Sequence, residues 1–100
     1  DPESYKKAIS EIPKPACAIV AVPDNLHKKI AISTIREGLH TLVVKPLAPT
    51  LKEVYELIET QDKNKVYCAV EFHKRCDSAN LMLKDVIGSK KIGKPLYFIV

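Results

Sequence analysis

The sequence predicts an α/β fold built on a small parallel sheet, and three observations carry that prediction. Apolar runs of strand length alternate with amphipathic segments of helix length. The runs at residues 16–22, 42–44 and 66–70 are unbroken, the pattern of strands covered on both faces. Prolines, glycines and short polar residues stand at the junctions, where chain direction must change.

Taken in order, residues 3–12 have a weak helical pattern, with Tyr5, Ala8, Ile9 and Ile12 at spacings of three and four. Pro13 and Pro15 end it, since neither extends a helix. Residues 16–22 form the first strand, and Pro23 stops it. Asp24 or Asn25 is expected to cap the next helix through a side-chain oxygen. Leu26, Ile30, Ala31 and Ile35 then form its apolar stripe, and Gly38 is expected to close it in the left-handed conformation.

The segment 41–50 organises the rest. Leu42, Val43 and Val44 read as buried strand, Lys45 stands at its carboxyl end, and Pro46 ends the pairing because it has no N–H. Ligands of open parallel sheets bind at that edge, so Lys45 is the leading functional candidate. Thr50 and Glu53 match a capping box, and Leu51, Val54, Leu57 and Ile58 give the following helix its buried stripe. Residues 62–65 are expected to be a polar turn, and residues 66–70 the third strand. Residues 71–75 lie at its carboxyl end. Asp77 or Ser78 caps a further helix with an expected inward stripe of Ala79, Met82 or Leu83, Val86 and Ile87, ended by Gly88. Residues 96–100 read as a fourth strand. Parallel strands require right-handed crossovers, which bring the ends at residues 22–25, 45–46 and 71–75 to one edge.

At 100 residues the chain holds one domain or less, and with 46% hydrophobic residues and 3 glycines it reads as packed. No apolar run is long enough to span a membrane, and residues 1–4 lack the pattern of a signal peptide. The +4 charge is dispersed, and the Lys90-Lys91-Ile92-Gly93-Lys94 cluster reads as a solvated turn, so no nucleic-acid partner is expected. Cys17, Cys68 and Cys76 form no C-x-x-C pair, which suits reduced thiols in a cytoplasmic protein. His27, His40 and His73 lack zinc spacing, so no metal site is expected.

The three turns together resemble the Gfo/Idh/MocA oxidoreductases. The family's Thr-Pro strand end with a later histidine is similar to Val22-Pro23-Asp24-Asn25-Leu26-His27. Its Gly-Lys-His strand and Glu-Lys-Pro-Leu-Ala turn with a Thr cap are similar to residues 37–50, above all Lys45-Pro46-Leu47-Ala48 and Thr50. Its Arg-Phe-Asp-Pro-like segment is similar to residues 72–78, and its Ile-Gly to Ile92-Gly93. Val44 departs from the family's glutamate before Lys-Pro, and Cys76 and Ser78 replace common Phe and Pro. The Gly-x-Gly-x-x-Gly phosphate loop is not in the sequence.

The resemblance implies a partial Rossmann-like parallel sheet (βαβαβα). Residues 1–94 are then the second half of an NAD(P)-binding domain, and residues 95–100 the first strand of a second α/β domain that binds substrate and forms a homo-oligomer. It implies NAD or NADP as cofactor and a sugar, cyclitol or related polyol as substrate. Lys45 becomes the catalytic candidate. Val22, Pro23, Asn25, His27, Lys45 and Pro46 become cofactor-binding, and His73 and Arg75 substrate-binding. The Val44 departure motivates an alternative, a catalytically silent relative that binds nucleotide or sugar as a regulator. The isolated chain is expected to bind dinucleotide poorly, because it lacks the helix N-terminus that receives a pyrophosphate.

Overall fold

The computed structural model describes residues 3–97 and 99. The elements are α1 (Ser4–Ser10), β1 (Cys17–Val20), α2 (His27–Arg36), β2 (His40–Val44), α3 (Leu51–Asn64), β3 (Cys68–Glu71) and α4 (Ser78–Gly88). Short 3-10 turns at Asp24–Leu26 and His73–Arg75 follow β1 and β3. The sheet order is β1-β2-β3 and both pairings are parallel, with Val20 opposite Val43 and Val43 opposite Val70.

Two right-handed crossovers stepping in the same direction put α2 and α3 on one face of the sheet. The core lies between them. Val20 and Val43 point from the sheet into Ala31, Ile35 and Leu57 from the helices, with Ala48 closing the β2–α3 turn. The opposite face is open, so the expectation of strands covered on both faces fails: Ile19 is 72% exposed, and Cys17 and Ala69 are exposed too. Their apolar character is that of buried strands, but no described element packs over them.

Local chemistry sets the helix ends. Thr50 is the N-cap of α3, with its hydroxyl accepting from Glu53 N–H at 3.3 Å while the Glu53 carboxylate accepts from Thr50 N–H at 3.2 Å. Gly38 takes φ +74° directly after the α2 cap Glu37, as expected of a left-handed C′ residue. Asp77 caps α4 by accepting from the N–H groups of Ala79 and Asn80.

Three expectations are corrected. Neither Asp24 nor Asn25 caps α2. The 3-10 turn supplies backbone acceptors instead, with Leu26 N–H donating to Pro23 and His27 N–H to Asp24. Residues 62–64 are helical, and α3 ends only where Lys65 turns left-handed at φ 53°. The apolar stripe of α4 is not inward: Met82 is 69% exposed and no residue of α4 is buried. Of the expected strand at 96–100, Phe98 and Val100 lie outside the described residues, and Leu96 and Tyr97 belong to no strand.

Ion pairs tie the helical layer together. Lys28 on α2 bridges to Glu56 at 2.6 Å and Glu53 at 4.0 Å on α3. Lys29 pairs with Glu3, holding the start of α1 against α2. The Lys28 ammonium beside Glu56 holds that carboxyl below the usual carboxylate range. A carboxyl whose folded pKa is depressed contributes above its unfolded value, and the contribution disappears as pH falls through the folded value. In the full-length protein, Lys28→Met should therefore flatten the acid-side slope of melting temperature between about pH 6 and pH 3. A slope equal to the parent's would show that this pair is fully screened. Thr50→Ala should weaken the first turn of α3 by about 1 kcal/mol, seen as faster amide exchange at Glu53 and Val54. Unchanged exchange there contradicts the capping-box account.

Candidate functional site

Parallel topology brings the carboxyl ends of β1, β2 and β3 to one edge, as the sequence implied. A buried histidine joins the first two. His27 is 0% exposed. Its Nδ1 lies 2.6 Å from the Pro46 carbonyl oxygen and its Nε2 2.8 Å from that of Val22. The ring thus staples the turn after β1 to the turn after β2. Both partners only accept, so each contact is one that a ring N–H can make as donor.

His27 was expected among residues that meet a cofactor. Its burial leaves it no accessible surface, so it acts on the rim by positioning Val22 and Pro46. No sequence pattern distinguishes this role, because a histidine in the first turn of a helix is usually solvated. Pro23 and Asn25 are exposed at the β1 end.

The second and third strand ends share a cleft of about 480 Å³. Lys45 enters it from the end of β2, His73, Lys74 and Arg75 from the 3-10 turn after β3, and Lys84 from α4. Phe72 and Leu81 supply apolar wall. The structure therefore brings Lys45, His73 and Arg75 together, while Val22, Pro23 and Asn25 line the neighbouring stretch of rim outside this cleft. The Lys45–Pro46 peptide is cis. Main-chain bonds shape the 3-10 turn, with Arg75 N–H donating to Phe72 at 2.8 Å, and Asn80 Nδ2 donates to the Lys74 carbonyl at 3.0 Å, docking α4 on it.

The cleft is cationic. The Arg75 guanidinium stacks over the Phe72 ring at 4.7 Å. Lys74 is 3.5 Å from Asp77, whose carboxyl is held low chiefly by the Ala79 and Asn80 amides. His73 Nδ1 lies 3.3 Å from the Glu71 carboxylate. Among the described residues, Lys45, Arg75 and Lys84 form no ion pair with a carboxylate. Lys84 and Leu81 were missed in the sequence. The signal was available: Asp77 fixes the phase of α4, and residues 80, 81 and 84 share one helical face. No group of described residues is arranged to hold a metal, and no described helix is long and apolar enough to cross a membrane.

Three comparisons bear on this rim. The model of the Gfo/Idh/MocA oxidoreductase family, NAD-binding Rossmann fold, matches residues 3–72. The chain is 31% identical over 90 residues to scyllo-inositol 2-dehydrogenase (NAD(+)) of Bacillus subtilis, covering 90% of this chain and 26% of that protein. It is 27% identical over 96 residues to glycosyl hydrolase family 109 protein 1 of Akkermansia muciniphila, covering 96% and 20% respectively. In structure it is similar to an NAD-binding protein from Listeria innocua, with TM-score 0.81 and 25% identity over 89% of this chain and 26% of that one. The chain spans about a fifth to a quarter of the length of the curated relatives it matches.

If His27 is the staple between the turns, His27→Leu removes the ring from both part-buried carbonyl contacts. That should destabilise the full-length protein by about 1–3 kcal/mol for each oxygen left dry, read by denaturant unfolding. A loss well under 1 kcal/mol would refute the staple.

Proposed function

The chain belongs to the Gfo/Idh/MocA oxidoreductase family, and on that premise we propose that its parent protein is an NAD(P)-dependent dehydrogenase of a sugar, cyclitol or related polyol. The observation that carries the reading is Lys45. It stands at the carboxyl end of the central strand, beside the Pro46 turn that His27 contacts, and it lines the cleft without a carboxylate partner among the described residues. Relatives named scyllo-inositol 2-dehydrogenase (NAD(+)) and 1,5-anhydro-D-fructose reductase support the substrate class.

The residues fit the nicotinamide end of a dinucleotide in one respect: two fixed turns flank an exposed amine at a sheet edge where such ligands bind. When bound, the cofactor supplies the hydride-accepting chemistry. The Val22–Pro23 turn, Asn25 and Pro46 bound the side of the rim next to Lys45. Lys45 Nζ donates a hydrogen bond to the substrate oxygen on which charge develops, and such a donor stabilises a developing alkoxide most where water is excluded. His73 and Arg75 hold the rest of the substrate, Arg75 by its planar set of donors. In this reading, residues 1–94 are the second half of the dinucleotide-binding domain, and 95–100 lead into a domain that completes the site and carries the oligomer contacts. The setting is cytoplasmic.

The test is hydride transfer by the full-length parent, followed at the nicotinamide absorbance with inositols and aldoses. Lys45→Ala should lower kcat by about 100-fold or more while leaving NAD(P) affinity within a few-fold. Full activity in the variant removes Lys45 from the mechanism. Nucleotide binding without turnover of any polyol favours a silent regulator, the reading that Val44 in place of a glutamate suggests.

A further inference from the structure

The charge of the cleft carries an inference about what enters it. Most of the ion pairs of this chain lie elsewhere, where Lys28, Lys29 and Lys63 each meet a glutamate. The cleft departs from that economy. Among the described residues, Lys45, Lys74, Arg75 and Lys84 line it, no carboxylate does, and of these four only Lys74 has an acidic partner, at 3.5 Å. Arg75 is stacked on Phe72, which fixes the plane of the guanidinium and leaves its N–H edges unclaimed by any carboxylate. Lys45 and Lys84 approach from two other elements.

Like charges gathered in one concavity repel, and a cleft with apolar walls such as Phe72 and Leu81 strengthens that field. A neutral polyol does nothing to relieve it. A ligand carrying a carboxylate or phosphate does, and a planar guanidinium in a cleft also lined by lysines suits either anion through charge-assisted hydrogen bonds. We propose that the substrate is an anionic polyol, with its carboxylate or phosphate held by Arg75 and Lys84 and its reacting hydroxyl at Lys45. This rests on the reading of the rim as the substrate site and narrows its substrate class.

The experiment titrates D-gluconate, D-glucitol 6-phosphate and neutral D-glucitol into the full-length parent by calorimetry, with and without NAD. At least one anion should bind about tenfold or more tightly than glucitol. That gap should shrink as ionic strength rises from about 0.05 to about 0.5 M, and Arg75→Gln and Lys84→Gln should each narrow it. Preference for gluconate identifies a carboxylate, and preference for the 6-phosphate identifies a phosphate. Glucitol binding as tightly as both anions, or a gap untouched by both substitutions, overturns the proposal. Anion preference without any hydride transfer sinks the dehydrogenase reading alone. Turnover of neutral polyols with no preference for their anionic counterparts sinks this inference alone.

Discussion

His27 spans the gap between two strand ends, with one ring nitrogen 2.6 Å from the Pro46 carbonyl and the other 2.8 Å from that of Val22. The rest of the rim depends on that contact. A parallel strand that stops at a proline leaves carbonyl groups beyond its last ladder bond, and buried carbonyls must find donors. The ring itself is fully buried, and both contacts are part-buried. The imidazole meets both from the first turn of α2, which the 3-10 turn at Asp24–Leu26 delivers to that position. The same ring therefore finishes two strands, starts a helix and sets the spacing of the turns that flank Lys45. Each unpaired carbonyl would cost a sizeable part of the 5–15 kcal/mol that holds a typical domain together.

Next to this rigid pair of turns stands a more loosely held one. The 3-10 turn after β3 rests on main-chain bonds, the stacking of Arg75 on Phe72, and the Asn80 amide from α4. Helix α4 buries none of its own residues. Packing energy scales with buried apolar area, so this corner is bound to the sheet far more weakly than α2 or α3. The site thus combines a fixed amine on the central strand with cations on a lightly packed corner.

The parts of the fold that were legible in the sequence are those fixed by local chemistry. Thr50 with Glu53, Gly38 after Arg36-Glu37, and Asp77 before α4 each act within a few residues, and each does what its type predicts. The alternation of strands and helices gave the parallel sheet for the same reason. Features decided by distant partners were not legible. Asn25 lost the cap to backbone acceptors, α3 ran three residues into the expected polar turn, and no residue of the apolar stripe of α4 is buried. His27 is the sharpest case, because its role depends on a carbonyl 19 residues away. That Lys45, His73 and Arg75 share one cleft follows from their place at strand ends, whereas placing Lys84 there needs the phase of a helix and its approach to the third turn.

The Val44 position draws these strands of argument together. The resemblance sets a glutamate there, and its replacement by valine first reads as the loss of a carboxylate from the rim. The register qualifies that reading. Val44 is paired with Glu71 across the β2–β3 ladder, and paired residues of adjacent strands project from the same face. A carboxylate therefore remains one strand away on the same side of the sheet, and it lies 3.3 Å from His73 at the edge of the cleft. A carboxylate on the neighbouring strand has different partners from one beside Lys45. It faces a histidine of the third turn and makes no ion pair with the central lysine, so Lys45 keeps its charge unopposed from within the described residues. A cleft whose lysine is unopposed differs in its electrostatics from one whose lysine stands next to a glutamate.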